Sequence, residues 1–376
     1  MKHKIFVFFF LFSFSNLGGE EHAHSDKLSI RSRVERILSE FQNELKKDEL
    51  SKMEILPENA SPREAISFFE IFLEQMEIPY TLLSRVREEP ATNVHYEVPA
   101  WVNLGFLARK FTRKPLSRIH TDYQVLKDEA GESMTIHGEF GSGSLLIGLH
   151  KKHPKGKVCI VVDDMGHFGK GLPIYLSMNQ PVVFSILPFY NTSPLQAKTS
   201  YKEGFEIMLH VPMQPGHDNY FQYENIITKD LEEEDLISRI TTVFSQVPFI
   251  SGWNNHQGSK ATSDKRTMEI IMKELSKTRQ NLYFIDSMTS PKTFGYSMAR
   301  TYGIPSAKRN FDFLDNRKTK QAIQLKLRQL LQRAKRAHNP VIAILHETQV
   351  SAISLKEMLP QFQLEEIEFV NPTDFL

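Results

Sequence analysis

A chain of 376 residues with 46 Lys and Arg against 45 Asp and Glu has a formal charge of +1. Hydrophobic residues make up 40% and charged residues 24%, a composition that suits a folded globular protein of one or two domains. The even charge excludes the clustered basic face of a nucleic-acid binder, and a single cysteine, Cys159, excludes any disulfide within the chain.

In chain order, Lys2 and Lys4 precede a Phe-rich apolar run over 5–14, and small polar residues follow over 15–19. This is the layout of a secretory signal peptide over 1–19, short for a membrane-spanning helix, with an uncleaved anchor as the alternative reading. An exported protein of the periplasm or cell envelope is expected, with no stable membrane span after cleavage. Residues 20–27 read as a polar linker. Ile30, Val34, Ile37, Leu38, Phe41 and Leu45 recur at helical spacing. Ser61, Pro62 and Glu64 form a helix start with a capping box, and that helix is expected to reach about Met76, before Pro79. Strands are expected over 92–104 and 119–150, with Gly141-Ser142-Gly143 as a hairpin turn. Residues 28–150 therefore read as a small α+β domain without a chemical motif.

His153-Pro154-Lys155-Gly156 interrupts the pattern. From 155 to 376, apolar strand-like runs near 157–162, 181–187, 205–209, 248–253, 281–285, 303–306 and 341–345 alternate with helical segments. Seven strand–helix units imply an α/β architecture around a parallel sheet, open or closed. The basic run over 329–338 reads as the exposed face of one of these helices.

Six of the seven strand ends carry titratable or strongly polar groups: Asp163 and Asp164; His210; Asn254, Asn255 and His256; Asp286; Lys308 and Arg309; His346. Chemistry collects at such ends in barrel folds. Asp164, His210 and His256 offer one carboxylate and two imidazoles, enough for a divalent metal with an open position for water. Neighbours on a strand face opposite ways, so Asp163 joins Asp164 in the cavity only where the backbone turns. Asp163 then suits a base, with Arg309 holding it ionised. His346 suits an acid, with Asp286 on its other ring nitrogen. Trp253, Asn254, Asn255, Tyr220 and Tyr223 are candidate substrate contacts, as are Phe189 and Tyr190. Each residue taken singly has a plainer reading, as a helix cap, a hydrogen-bonded histidine or a loop anchor. Their convergence on one rim favours a site.

The order of these motifs resembles the divergent polysaccharide deacetylases, a branch of the polysaccharide deacetylase superfamily. The resemblance spans about 155–375. It rests on IVVDDMG at 160–166, PVVFSILP at 181–188, MLHVPMQP at 208–215, GWNNHQGS at 252–259, FIDSMTSP at 284–291, FLDN at 313–316 and AILH at 343–346. It implies a deformed (β/α) barrel of about seven parallel strands. It also implies hydrolysis of N-acetyl groups on an amino-sugar glycan, assisted by zinc or by cobalt, manganese or nickel. By position it makes Asp164, His210 and His256 the metal ligands, Asp163 the base, His346 the acid, and Arg309 and Asp286 the residues that orient those two. The chain departs from the family pattern at Gln214, Gln257, Met288 and Glu347, where the family often carries Glu, Met, Arg and Pro. The spacing from Arg309 to Asp315 is also one residue longer than usual. A catalytically silent envelope protein that binds a glycan or another protein, and a metal phosphoesterase, are the alternative readings.

Overall fold

The computed structural model describes residues 60–376 apart from 89, 114–120, 141–142, 168, 218–224 and 279–280. The expected signal peptide, the linker, the helix over 28–50, most of the Gly141–Gly143 turn, and Tyr220 and Tyr223 lie outside the described residues. The described residues belong to one compact unit, and it contains two sheets.

Helix α1 (Pro62–Gln75) starts where the capping box predicts. Ser61 Oγ accepts from the Glu64 N–H, and the Glu64 carboxylate accepts from the Ser61 N–H. Five strands follow: β1 (Thr81–Glu88), β2 (Ala91–Glu97), β3 (Thr121–Lys127), β4 (Glu132–Phe140) and β5 (Gly143–Lys151), with α2 (Leu104–Thr112) between β2 and β3. They form one sheet in the order β1-β2-β5-β4-β3. Phe69 and Phe72 of α1 and Phe111 of α2 pack together, and Phe69 also meets Tyr96 of β2. Helix α2 and strand β1 were not expected. Leu104, Phe106, Leu107 and Ala108 of α2 are buried, and both of its flanks are short enough to look like strand.

The second sheet contains the site. Strands β6 (Gly156–Met165), β7 (Val183–Ile186), β8 (Glu206–Met213), β9 (Ile250–Gln257), β10 (Tyr283–Asp286), β11 (Ser306–Lys308) and β12 (Val341–His346) are all parallel, in the order β11-β10-β9-β8-β7-β6-β12. Helices α3 (Leu172–Leu176), α4 (Ser193–Lys202), α5 (Glu233–Phe244), α6 (Lys265–Ser276), α7 (Gly295–Thr301), α8 (Lys320–Ala334) and α9 (Gln349–Leu364) lie between or after them. The strands bury both faces, which is why they read as continuous apolar runs. The result is a nearly closed barrel of seven parallel strands. The seam between β11 and β12 is bridged by irregular backbone: Asn310 N–H donates to Ile342 O (3.3 Å) and Leu314 N–H to Ile344 O (2.9 Å). A short β13 (Ile367–Phe369), also unexpected, pairs with the start of β6.

Side-chain parity decides what reaches the interior. Cys159 and Val161 of β6, Met208 of β8, Tyr283 and Ile285 of β10, and Ile342 and Ile344 of β12 pack into one buried cluster. With a period of two, Asp163, His210 and His346 face inward as well. Below the barrel, Lys151 joins the two sheets. Its buried ammonium lies 2.9 Å from Glu368 on β13 and 3.4 Å from Glu132 on β4, so each buried charge has a partner.

Candidate metal centre and its proton-transfer groups

Asp164 should face outward by parity. The chain overrides this with a register shift between Val162 and Met165 and a left-handed backbone at Asp164, φ 61. That conformation is costly for a residue with a Cβ, and such strain concentrates at functional sites. It brings Asp164 to the same side as Asp163. Asp164 Oδ1 then lies 2.9 Å from His256 Nδ1 and 3.3 Å from His210 Nε2, and the two imidazole nitrogens are 3.1 Å apart.

These three atoms are the cluster of ligating groups found among the described residues. Donors of a tetrahedral site with bonds of roughly 2.0–2.1 Å stand about 3.3 Å apart. The observed triangle is close to that size, and one anionic oxygen with two imidazoles suits zinc or a neighbouring divalent metal. Burial pushes the Asp164 carboxyl up, but His210 and His256 outweigh it and hold the group well below the usual carboxylate range. Burial lowers His256, which keeps its ring neutral and able to ligate. For His210, burial also lowers, but the carboxylates of Asp163 and Asp164 outweigh it and draw the ring upward.

Asn254 organises the centre. It stands opposite His210 in the β8–β9 register. Its Oδ1 accepts from His210 Nδ1 (2.7 Å) and from Ser185 Oγ (2.6 Å), which leaves His210 Nε2 as the ring atom that could ligate a metal. Its Nδ2 donates to Asp163 Oδ1 (2.8 Å). One buried amide therefore fixes both a ligand and the neighbouring carboxylate. Asn254 was expected at the substrate; it lies fully buried behind the ligands instead.

Asp163 and His346 are register partners on β6 and β12. His346 Nδ1 donates to Asp315 Oδ1 (2.9 Å), and the His346 backbone N–H donates to Asp315 Oδ2 (2.8 Å). Ser351 Oγ donates to the same Oδ2. Burial lowers the His346 ring, but Asp315 outweighs it and the pKa is raised to about 9. The Phe313 ring stacks on this imidazole with centroids 5.6 Å apart.

Several expected contacts take another form. Asp286 does not meet His346, because Tyr283 and Ile285 face inward and Asp286 therefore faces out. Its oxygens accept from Met288 N–H (2.9 Å), Thr293 Oγ1 (2.9 Å) and Tyr296 N–H (3.0 Å), so it braces the loop after β10. Asp315 was missed; it occurs in the FLDN motif but follows the irregular seam, where no periodicity marks its direction. Arg309 makes no ion pair with Asp163 among the described residues. Its guanidinium donates to Ser287 O (2.9 Å), Met288 O (3.1 Å) and Phe311 O, and lies over the Phe313 ring. Trp253 is 0% exposed, between Phe244 and Phe284, and cannot touch a substrate. Asn255 also faces away from the interior: its Nδ2 donates to Gln257 O and Thr289 Oγ1, and its Oδ1 accepts from Ser287 N–H.

Glu347, an apparent departure from the family pattern, has a local task. Its buried Oε1 accepts from the N–H groups of Gly171 (2.8 Å) and Leu172 (3.1 Å), pinning the loop after β6. A Cβ at Gly169 would come within 1.7 Å of Glu347 Oε2. Gln214, four residues after His210, follows a strand rather than continuing a helix, so no second histidine at helical spacing is possible there.

The chain belongs to the divergent polysaccharide deacetylase family, whose model matches residues 160–376. It is 28% identical over 214 residues to the uncharacterised protein YibQ of Escherichia coli (strain K12), covering 57% of this chain and 66% of that protein. It is 28% identical over 192 residues to an uncharacterised protein of Haemophilus influenzae, covering 51% of this chain and 67% of that one. A crystal structure of an uncharacterised protein from Agrobacterium tumefaciens C58 superposes with a TM-score of 0.54 at 20% identity, covering 59% of this chain and 89% of that one, a likeness of fold. Among the described residues no helix is long and apolar enough to cross a membrane.

Proposed function

We propose that this chain is an exported, metal-dependent hydrolase that removes N-acetyl groups from an amino-sugar glycan of the cell envelope. The observation that carries the reading is the placement of Asp163 and the His346–Asp315 pair beside the Asp164–His210–His256 triangle. A divalent ion held by that triangle, zinc before cobalt, manganese or nickel, supplies Lewis-acid polarisation of the acetyl carbonyl and a more acidic water.

The chain's own groups move the protons. Asp163 Oδ1 is anchored by Asn254, which leaves Oδ2 to take a proton from the attacking water. The water oxygen bonds to the acyl carbon as the carbon–nitrogen bond breaks. His346, with Nδ1 on Asp315, has Nε2 to deliver a proton to the departing amine. A pKa of about 9 keeps that imidazole protonated at neutral pH. Acetate and a free amino sugar result.

The test is metal content and acetate release for the purified chain beside a variant combining Asp164→Ala, His210→Ala and His256→Ala. About one divalent ion per chain, lost in the variant together with acetate release from N-acetylated glycans, supports the reading. A chain that takes up no zinc, cobalt, manganese or nickel overturns it in favour of a glycan- or protein-binding role.

A further inference from the structure

One wall of the barrel rim is built with more care than a surface loop needs. Residues 166–167 and 169–171 follow Asp164, and the loop over 187–192 follows β7. Gly166 N–H donates to Gln196 Oε1, Gln196 Nε2 donates to His167 O (3.2 Å), and Thr192 Oγ1 donates to Gly166 O. Ser193 Oγ donates to Leu187 O (2.6 Å). On the other side Glu347 holds Gly171 and Leu172, and its Oε2 lies 3.5 Å from His167 Nε2. The two loops are thereby tied to each other and to β12.

On this wall stand two exposed rings. Phe189 adopts a left-handed backbone, φ 69, an expensive conformation for a bulky residue. The following residue, Tyr190, is 42% exposed. Gly166, at φ +125, lets Tyr190 lie against it: a Cβ there would meet Tyr190 Cδ2 at 3.3 Å and Leu187 O at 2.9 Å. The Tyr190 ring therefore rests on the backbone two residues beyond Asp164. The His167 ring, 48% exposed in its side chain, stands at 5.8 Å from it and is tilted by 53°. Strain and cross-ties that hold an aromatic ring out in solvent gain nothing for the core. They hold a flat apolar face ready at the edge of the site, which spares a ligand the cost of ordering it.

We propose that Tyr190, with His167 at its edge, is a subsite for the pyranose ring next to the N-acetylated sugar, so that the rim accepts an internal residue of a glycan chain. This inference rests on the deacetylase reading. A pyranose has an apolar C–H face that matches the exposed Tyr190 ring and equatorial hydroxyls that match the ring nitrogens of His167. Tyr190 lies against Gly166, two residues beyond Asp164, and is not itself one of the candidate ligands, which suits a neighbouring sugar rather than the one that reacts.

The experiment is calorimetric titration of the metal-loaded chain with N-acetylglucosamine and with its β-1,4-linked tetramer. The wild type is expected to bind the tetramer at least ten-fold more tightly than the monomer. Tyr190→Ala removes roughly that ten-fold gain, about 1.4 kcal/mol, and leaves monomer binding unchanged. Tyr190→Phe keeps the gain, and His167→Ala loses part of it. Equal tetramer affinity in wild type and Tyr190→Ala overturns the subsite, as does a wild type with no preference for the tetramer. Acetate release judges the parent reading separately. Release without length preference removes the subsite alone, whereas tetramer binding through Tyr190 without release keeps the subsite and removes the deacetylase.

Discussion

Replacing Asp315 by Asn tests the proton-donor assignment directly. Burial lowers the pKa of His346, while the Asp315 carboxylate, with smaller help from Asp163 and Asp164, raises it to about 9 from an ordinary value of 6.5. Without the Asp315 carboxylate the lowering effect of burial meets only the weaker pull of Asp163 and Asp164, so the variant's pKa falls. A general acid works in its protonated form. The basic limb of the acetate-release profile is therefore expected near pH 9 in the wild type and lower in the variant. At pH 8 about 0.9 of the wild-type imidazole is protonated; a limb moved down by about two pH units leaves roughly a tenth, a loss of about ten-fold, against little change at pH 6. Stability follows the same sign. A raised imidazole pKa stabilises the fold fully below about 6.5, and that contribution fades as pH rises through about 9, so the difference in Tm between wild type and variant narrows across that window. An Asp315→Asn profile that falls equally at pH 6 and pH 8, with its basic limb in place, refutes the role given to His346.

Asn254→Ala should weaken divalent-ion affinity by roughly 10–100-fold, read by competition with a chelating dye, because His210 loses the acceptor that fixes its ring. Far-ultraviolet circular dichroism should be unchanged. Gly169→Ala should displace the buried Glu347 carboxylate from its two N–H donors and lower urea stability by about 1–3 kcal/mol; an unshifted midpoint refutes that anchoring. Trp253→Ala should cost about 3–5 kcal/mol of stability through a core cavity. If it raises KM at intact stability instead, the ring contacts substrate after all.

Much of the site was legible because strand parity and strand ends are written in the sequence. The apolar runs predicted all seven barrel strands, and the polar residues ending six of them marked the rim of the candidate site. The errors came where position along a strand was used without its direction. Asp286 ends β10 as His346 ends β12, yet Tyr283 and Ile285 already claim the inward parity and send Asp286 outward. Trp253 and Asn255 fail as substrate contacts by the same rule, since they flank the inward Asn254 on β9. Asp164 is the opposite case: parity alone excludes it, and only the left-handed backbone restores it. Asp315 could not be placed from periodicity, because the 309–314 segment that delivers it belongs to neither helix nor strand. In the first sheet, α2 was hidden by its brevity and by the burial of its own apolar stripe.

The irregular seam has a consequence for how the centre assembles. The candidate metal ligands come from β6, β8 and β9, within one unbroken run of strands, whereas Asp315 reaches His346 only from the far side of the β11–β12 gap. The ligand triangle and the proton donor are thus separable modules of one rim. On the proposed function, a change that loosens the Asn310–Ile342 and Leu314–Ile344 stitches is expected to leave ion uptake intact while slowing proton delivery to the leaving amine. Tightness of the seam, rather than any change to the ligands, would then set the rate.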